Sequence, residues 1–358
     1  MKTILRTFVG CTAILFGTAC MGAVKYVPEN MKVELSLKVP GNNAVNYKLH
    51  PDKLENSYFD YEWRSDNKLP ITVFHKVEER DSCMRLTVQL TAAQDVYFNY
   101  RQLLSTGYRH DNCQFYMPGF WYRRNLRSPK KAPSFHTSDS WLVREDRLSA
   151  PLTGIFSEKE KRFMTVNRLD DFSMDALATH KEGEIILSGK TSLGFTGFEN
   201  QQGIAMLSFG FPYREAPKSY IRKLTLAPEV EAFQLMKKGE SVLLTWEIME
   251  SGADDFSDFI QHTWEHCYDT YAPKPVENSY SIADMKQVLS CFFVNSLVDN
   301  QPLVYNSGIH LKVSDCERNG QAEVGFIGRV LLNAFNAWEY GWQSNREELK
   351  VNSTKIFD

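Results

Sequence analysis

The sequence predicts an all-β fold, an antiparallel β-sandwich over residues 24–252, followed by an incomplete α-helical domain, and two observations predict it. Between Met31 and Met249, short segments alternate apolar and polar residues at the period of a half-buried strand, with Gly, Pro, Asn and Asp clusters between them. Near residue 250 the period changes. Residues 256–272, 281–299 and 321–343 carry apolar side chains at helical spacing, and 345–358 begins another such run. No helical crossover precedes residue 254, so an antiparallel sandwich fits better than a parallel α/β sheet.

Residues 1–23 read as a secretory signal: Lys2 and Arg6 precede the apolar stretch Phe8–Phe16, which leads to Gly17, Thr18, Ala19 and Cys20. Two endings compete, ordinary cleavage after Ala19 and a lipobox in which Cys20 is acylated and anchors the chain. Both place the protein in the periplasm or on the outer-membrane surface. The apolar stretch is shorter than the roughly 20 residues a membrane-spanning helix needs.

The first strand is the clearest, with Val33, Leu35, Leu37 and Val39 on one face and Lys32, Glu34, Ser36 and Lys38 on the other. Further strands are expected at Ile71–Val77, Arg85–Leu90, Val96–Tyr100, Arg162–Arg168, Glu184–Ser188, Ile204–Phe211, Ile221–Leu226 and Ser241–Met249. Residues 253–278 form a linker helix that Asp254 or Asp255 caps, with Phe256, Phe259, Ile260, Trp264 and Tyr268 as its apolar members. Pro273 and Pro275 end it. The helical part, residues 279–358, opens at Ser281 or Asp284, and 300–320 is read as a loop. The next helix has Val324, Ile327, Leu331, Ala334, Phe335 and Trp338 as its buried stripe.

With 43% hydrophobic residues in 358 the chain builds a substantial core, and a net charge of −3 argues against nucleic acid or any other polyanion as a partner. Cys83, Cys113, Cys267, Cys291 and Cys316 show no CxxC spacing, so no zinc cage and no dense disulfide framework is expected. One bridge, Cys83 to Cys113, competes with buried free thiols, the preferred reading. His262 and His266 lie four apart on one helix but not in the order HExxH, and they read as exposed helix residues. No metal and no cofactor is expected.

Three clusters carry candidate chemistry. In the stretch Phe115–Asn125, Pro118-Gly119 breaks any strand, so Phe120, Trp121, Tyr122 and Arg123 fall on a loop. Aromatic faces there suit the C–H face of a sugar, with Arg and Asn donors for its hydroxyls. The competing reading is that Phe120 and Trp121 fill the core. Arg144, Glu145, Asp146 and Arg147 read as a structural ion-pair network, or as arginines that take a uronate carboxylate. Asp315, Glu317 and Glu323, with Asn319 and Gln321, gather before the long helix and are the candidate acid and base groups for glycosidic chemistry. Their competing roles are helix capping and pairing with Arg318.

An exported strand-rich part, a linker helix ending Tyr268-Asp269-Thr270-Tyr271-Ala272-Pro273, and helices joined through Glu317-Arg318-Asn319-Gly320-Gln321 and Gly325-Phe326-Ile327-Gly328-Arg329 resemble the six-hairpin (α/α)6-toroid carbohydrate-active enzymes that bacteria secrete. The resemblance covers the architecture of residues 24–358 and no family-specific motif. It implies an oligo- or polysaccharide ligand held where the loops of a helical ring meet the sandwich, and a glycosidic bond cleaved by hydrolysis in preference to β-elimination. After residue 280 there is room for only about three helices. The expectation is therefore the N-terminal part of a longer enzyme, weak in catalysis alone, against the alternative of a non-catalytic glycan-binding protein.

Overall fold

In the computed structural model, β1 (Met31–Lys38) buries Met31, Val33 and Leu35 and turns Lys32 to solvent, as its alternation requires. The structure describes residues 28–53, 60–80, 83–170, 175, 182–275, 277, 279–295, 297–298, 303–305, 309–311, 316–318 and 329–358. After β1 come β2 (Val45–Lys53), β3 (Asp60–Arg64), β4 (Ile71–Glu79), β5 (Cys83–Ala92) and β6 (Val96–Arg109). Five short strands follow: β7 (Cys113–Met117), β8 (Trp121–Arg123), β9 (Trp141–Arg144), β10 (Leu152–Ser157) and β11 (Arg162–Arg168). The last six are β12 (Gly183–Ile186), β13 (Phe195–Gln201), β14 (Ile204–Phe211), β15 (Arg214–Arg222), β16 (Thr225–Met236) and β17 (Ser241–Gly252).

Pairing sorts these strands into two layers. One runs β2–β1–β6–β14–β13–β9–β15–β16, and the other β3–β4–β5–β17–β11–β10–β7–β8. β2 joins them, since Val45–Leu49 pair with β1 while His50–Lys53 pair with β3. Every described pairing in the two layers is antiparallel except β12 beside β16. Rings from the facing layers meet in the core: Phe115 stacks on Phe198 at 3.9 Å, and Trp246 lies 5.1 Å from Phe209 and 6.3 Å from Tyr100.

One expected strand fails. Ile221–Leu226 is not a strand but the tip of the β15–β16 hairpin, where Leu224 takes φ +59°. Ile221 is out of phase with Leu224 and Leu226, and the two apolar stretches belong to different strands.

His75 on β4 sits fully buried in this core, its Nε2 2.9 Å from the Tyr100 hydroxyl and its ring 5.1 Å from Trp63. Burial pushes its imidazole from 6.5 down to about 3. Between those values the unfolded chain binds a proton that the folded chain refuses, so stability falls as pH drops below the unfolded value. Urea unfolding at successively lower pH is expected to show wild type losing up to ~1.4 kcal/mol per pH unit more than His75→Leu, from about pH 6 to about pH 3, with no such difference above pH 7. Parallel pH curves for the two proteins would contradict the assignment.

α1 (Phe256–Tyr271) begins where the Asp255 carboxylate accepts from the amides of Ser257 at 2.7 Å and Asp258 at 3.0 Å. Ala272, at φ +40°, ends it before Pro273. The helix lies on the outer face of the second layer, packing Phe256, Phe259 and Cys267 against Tyr116, Leu152, Phe156, Phe163 and Met249. Gly154 on β10 lets Phe259 approach: a Cβ there would stand 2.5 Å from the ring. Trp264 Nε1 donates to the Tyr116 hydroxyl at 2.7 Å, and the Tyr271 hydroxyl donates to Asn167 Oδ1 at 2.7 Å.

The chain divides into two compact units after Ala272, and α1 falls with the β-rich unit. Within the second unit, Ser281 and Asp284 form a reciprocal cap on α2 (Ile282–Asn295), Asp284 N donating to Ser281 Oγ at 3.1 Å and Ser281 N to Asp284 Oδ2 at 3.0 Å. The span expected to be a loop contains two short ladders, β18 (Leu297–Val298) with β19 (Val304–Tyr305), and β20 (Ile309–Leu311) with β21 (Cys316–Arg318). α3 (Arg329–Gln343) and α4 (Glu347–Phe357) follow. Tyr305, Ala334, Ala337 and Leu349 form a small core, whereas Leu331, Phe335 and Trp338, expected to be buried, are exposed. Three described helices offer these side chains too little surface to pack on, and no closed helical ring is seen among the described residues. No described helix is long and apolar enough to cross a membrane.

Candidate functional site

The β7–β8 hairpin sorts the aromatic cluster by strand geometry. Met117 pairs with Trp121 and Tyr116 with Tyr122, so Phe115, Met117 and Trp121 point into the core while Tyr116 and Tyr122 face outward. Gly119 makes the turn at φ +80°. Arg123 and Asn125, at φ +57° and +48°, swing the chain away from β7. Asn125 holds that bend: its Oδ1 accepts from Tyr122 N at 3.1 Å and its Nδ2 donates to Pro133 O at 3.2 Å. Arg124 donates through Nε to Cys113 O at 3.1 Å and packs its guanidinium on Phe135. Arg123 donates to Gln114 Oε1 at 3.2 Å, with its guanidinium 4.8 Å from the Phe256 ring centre on α1.

An open groove of about 650 Å³ results, lined by Gln114 and by Tyr122 through Ser128. Tyr122 is 51% exposed and its ring stands 5.5 Å from Tyr116. Arg123, Arg124 and Arg127 give the groove positive charge, and its described lining holds no carboxylate.

The other sequence-predicted residues take different places. Trp121 is fully buried, its Nε1 donating to Arg123 O at 2.9 Å, so the core-filling alternative holds for it. Phe120 is half-buried, edge-on to Trp141 and Tyr220. Arg144 grips Asp146 through two bonds at 3.0 and 2.7 Å and Asp175 at 3.0 Å, beneath the ring of Tyr213. Burial opposes its charge, and those two carboxylates more than restore it. Arg147 binds Glu215 at 2.6 and 3.2 Å. Both arginines thus take part in the ion-pair network. The Glu317 backbone pairs with His310, and its side chain is outside the described residues, as are Cys20, Asp315, Asn319, Gln321 and Glu323.

Sequence reading missed Gln114 and Arg127, although the outward phase of β7 marks the first. It also placed His266 in solvent. The structure instead sets His266 Nε2 2.7 Å from Glu247 Oε1 on β17, half-buried, with Cys83 of β5 beside the pair. These three are the described group whose donor atoms could hold a metal. Burial raises the Glu247 carboxyl, but His266, Thr270 and Cys83 outweigh it and bring it down to about 2. Cys83, Cys113, Cys267 and Cys291 are free thiols, but only Cys113 and Cys267 of these are buried as expected; Cys83 is half-buried and Cys291 exposed. In the second unit, a cleft of about 330 Å³ between α2 and α3 is lined by Leu289, Phe293, Ala337 and Tyr340, with Glu339 the one carboxylate among its described lining residues.

No protein-family model matches the chain, and neither does any curated protein. Among solved structures it is similar to a polysaccharide lyase, at 12% identity and TM-score 0.32, over 90% of this chain and 52% of that one. A galactose mutarotase-like protein from Clostridium acetobutylicum is similar at 11% identity and TM-score 0.28, over 60% and 65% of the two chains. A kojibiose phosphorylase from the human microbiome is similar at 6% identity and TM-score 0.27, over 75% and 28%. The chain spans about half the length of the lyase it matches, and TM-scores this low decide neither fold nor activity.

Proposed function

We propose that this chain is the sandwich-bearing part of an exported protein that acts on glycans, and that a sugar chain binds in the groove beside Tyr122. The observation that carries this reading is one exposed ring set among fixed donors. Tyr122 is half exposed in a groove that Gln114, Arg123, Arg124 and Asn125 also line, and bonds to Gln114 Oε1, Cys113 O and Pro133 O hold Arg123, Arg124 and Asn125 in place around it. A pyranose offers the complement, an apolar C–H face and a rim of hydroxyls, and an open groove admits a chain rather than a single sugar. Export rests on Lys2, Arg6 and the Phe8–Phe16 stretch, and a mature chain that begins after Ala19 or at an acylated Cys20 in a mass spectrum is the result that agrees with it.

Cleavage of the glycosidic bond, by hydrolysis, would fall to a pair drawn from Asp315, Glu317 and Glu323. A second reading, binding without cleavage, is favoured by the groove itself. It holds no carboxylate among its described lining residues, and Arg144 and Arg147 are committed to Asp146 and Glu215.

Affinity electrophoresis in gels containing neutral or uronate-rich polysaccharide tests the site. Tyr122→Ala is expected to weaken retardation about tenfold, ~1.4 kcal/mol, and Tyr122→Phe, which loses only the hydroxyl that accepts from Gly119 N, to bind as wild type does. Equal retardation of wild type and Tyr122→Ala would rule the groove out. A reducing end released from the retarding glycan would separate the enzyme from the binding protein.

A further inference from the structure

We propose that Cys83, Glu247 and His266 form a binding site for a zinc-type divalent cation that fastens α1 to the outer face of the sandwich. The three residues come from β5, β17 and α1, and in the ladder Cys83 lies opposite Met249 and Glu247 opposite Arg85. Their donor atoms, one sulfur, one oxygen and one nitrogen, all lie within 4.8 Å of one another. A tetrahedral zinc ion with ligands at about 2.0–2.3 Å sets neighbouring donors roughly 3.3–3.8 Å apart, so side-chain movements of about 1 Å close the site. Glu247 is 4% exposed and fixed, whereas Cys83 and His266 are partly exposed, which leaves them free to adjust and leaves a path for the ion.

The donor set selects the ion. Calcium and magnesium seek oxygen ligands throughout, while sulfur with imidazole and one carboxylate suits zinc or cobalt. Glu247 is also oriented from behind: Thr270 Oγ1 donates to its Oε1 at 3.1 Å, and Arg85 lies 3.4 Å from its Oε2. On binding, the Cys83 thiol gives up its proton to solvent and its sulfur bonds to the metal. His266, whose Nε2–H is bonded to Glu247, passes that proton to Nδ1 or to solvent and coordinates through the freed Nε2. A thiolate and a carboxylate balance the two positive charges, and Arg85, partly exposed, turns toward water. Three protein ligands leave the fourth position to a water molecule. The fold does not await the ion, because His266 and Thr270 already bind Glu247 without it.

The test uses the full chain, stripped with a strong chelator and titrated with Co2+ as a spectroscopic probe. The expected result is saturation near one ion per chain, with tetrahedral d–d bands and a thiolate-to-cobalt charge-transfer band. Cys83→Ser is expected to lose the charge-transfer band, and Cys291→Ser, changed at an exposed thiol, to keep it. Hydrogen exchange of α1 amides in the wild type is expected to slow at least tenfold with Zn2+. No tetrahedral cobalt spectrum, a charge-transfer band that survives in Cys83→Ser, or α1 exchange that Zn2+ leaves unchanged would each overturn the site. The wild-type exchange measurement decides the matter alone if Cys83→Ser fails to fold.

Discussion

Arg168→Met is expected to destabilise the β-rich unit by about 3–5 kcal/mol, measured by chemical unfolding near neutral pH. Arg168 and Glu145 are both buried and joined at 2.7 Å, and the same guanidinium donates to Ser192 O at 2.9 Å and to Asp170 Oδ2 at 3.1 Å. Methionine keeps much of the volume and removes every donor. Glu145 would then retain the Gly194 amide, at 2.8 Å, as its remaining described donor. Burial already holds the Glu145 carboxyl above its usual range even though Arg168 pulls it down, so losing Arg168 raises it further. The folded variant then binds a proton that the unfolded chain releases, and stability in the variant recovers as pH falls toward the ordinary carboxylate value. Glu145→Gln in the same chain is expected to restore a large share of the loss at neutral pH, because the cost comes from a stranded charge rather than from the missing ion pair. An Arg168→Met protein within about 1 kcal/mol of wild type would mean that water reaches Glu145.

The reach of sequence reading follows from which faces are covered. β4 alternates because one side meets the core and the other meets water; in β1 the expected alternation holds from Met31 to Leu35 but fails beyond, where Ser36 and Lys38 are buried and Val39 is exposed. β9 and β10 are buried along their whole length, β9 as an interior strand between β13 and β15 and β10 with Leu152 and Phe156 packed on α1, so they show no period of two. The helical period was legible, and Asp255 and Ser281 cap where the sequence placed caps. At the site, aromatic density around Pro118-Gly119 located the hairpin, but which ring is exposed depends on the pairing of Tyr116 with Tyr122. Arg147 finds Glu215 and His266 finds Glu247 only through the tertiary fold, and no local pattern encodes partners so separated.

Phe259→Ala is expected to cost about 3–5 kcal/mol and to loosen α1 as a unit. The ring is fully buried, 4.9 Å from Phe163, 5.5 Å from Phe256 and 6.0 Å from both Phe156 and Tyr116, so its removal leaves a cavity walled by other rings that cannot collapse into it. The opposite error, Gly154→Ala, pushes a methyl into the Phe259 ring and against Thr165 Cγ2, and overpacking of that kind costs about 1–3 kcal/mol. Combined, the two substitutions should be less harmful than their sum by at least ~0.5 kcal/mol, since the new methyl occupies space the ring has vacated. A strictly additive pair would show that Gly154 and Phe259 do not share one contact. The groove feels the same change, because Phe256 on α1 supports the Arg123 guanidinium and Trp264 donates to the Tyr116 hydroxyl beside Tyr122. Under the proposed glycan-binding role, affinity in Phe259→Ala is therefore expected to fall although residue 259 is not among the described groove lining, and hydrogen exchange should show α1 opening ahead of global unfolding.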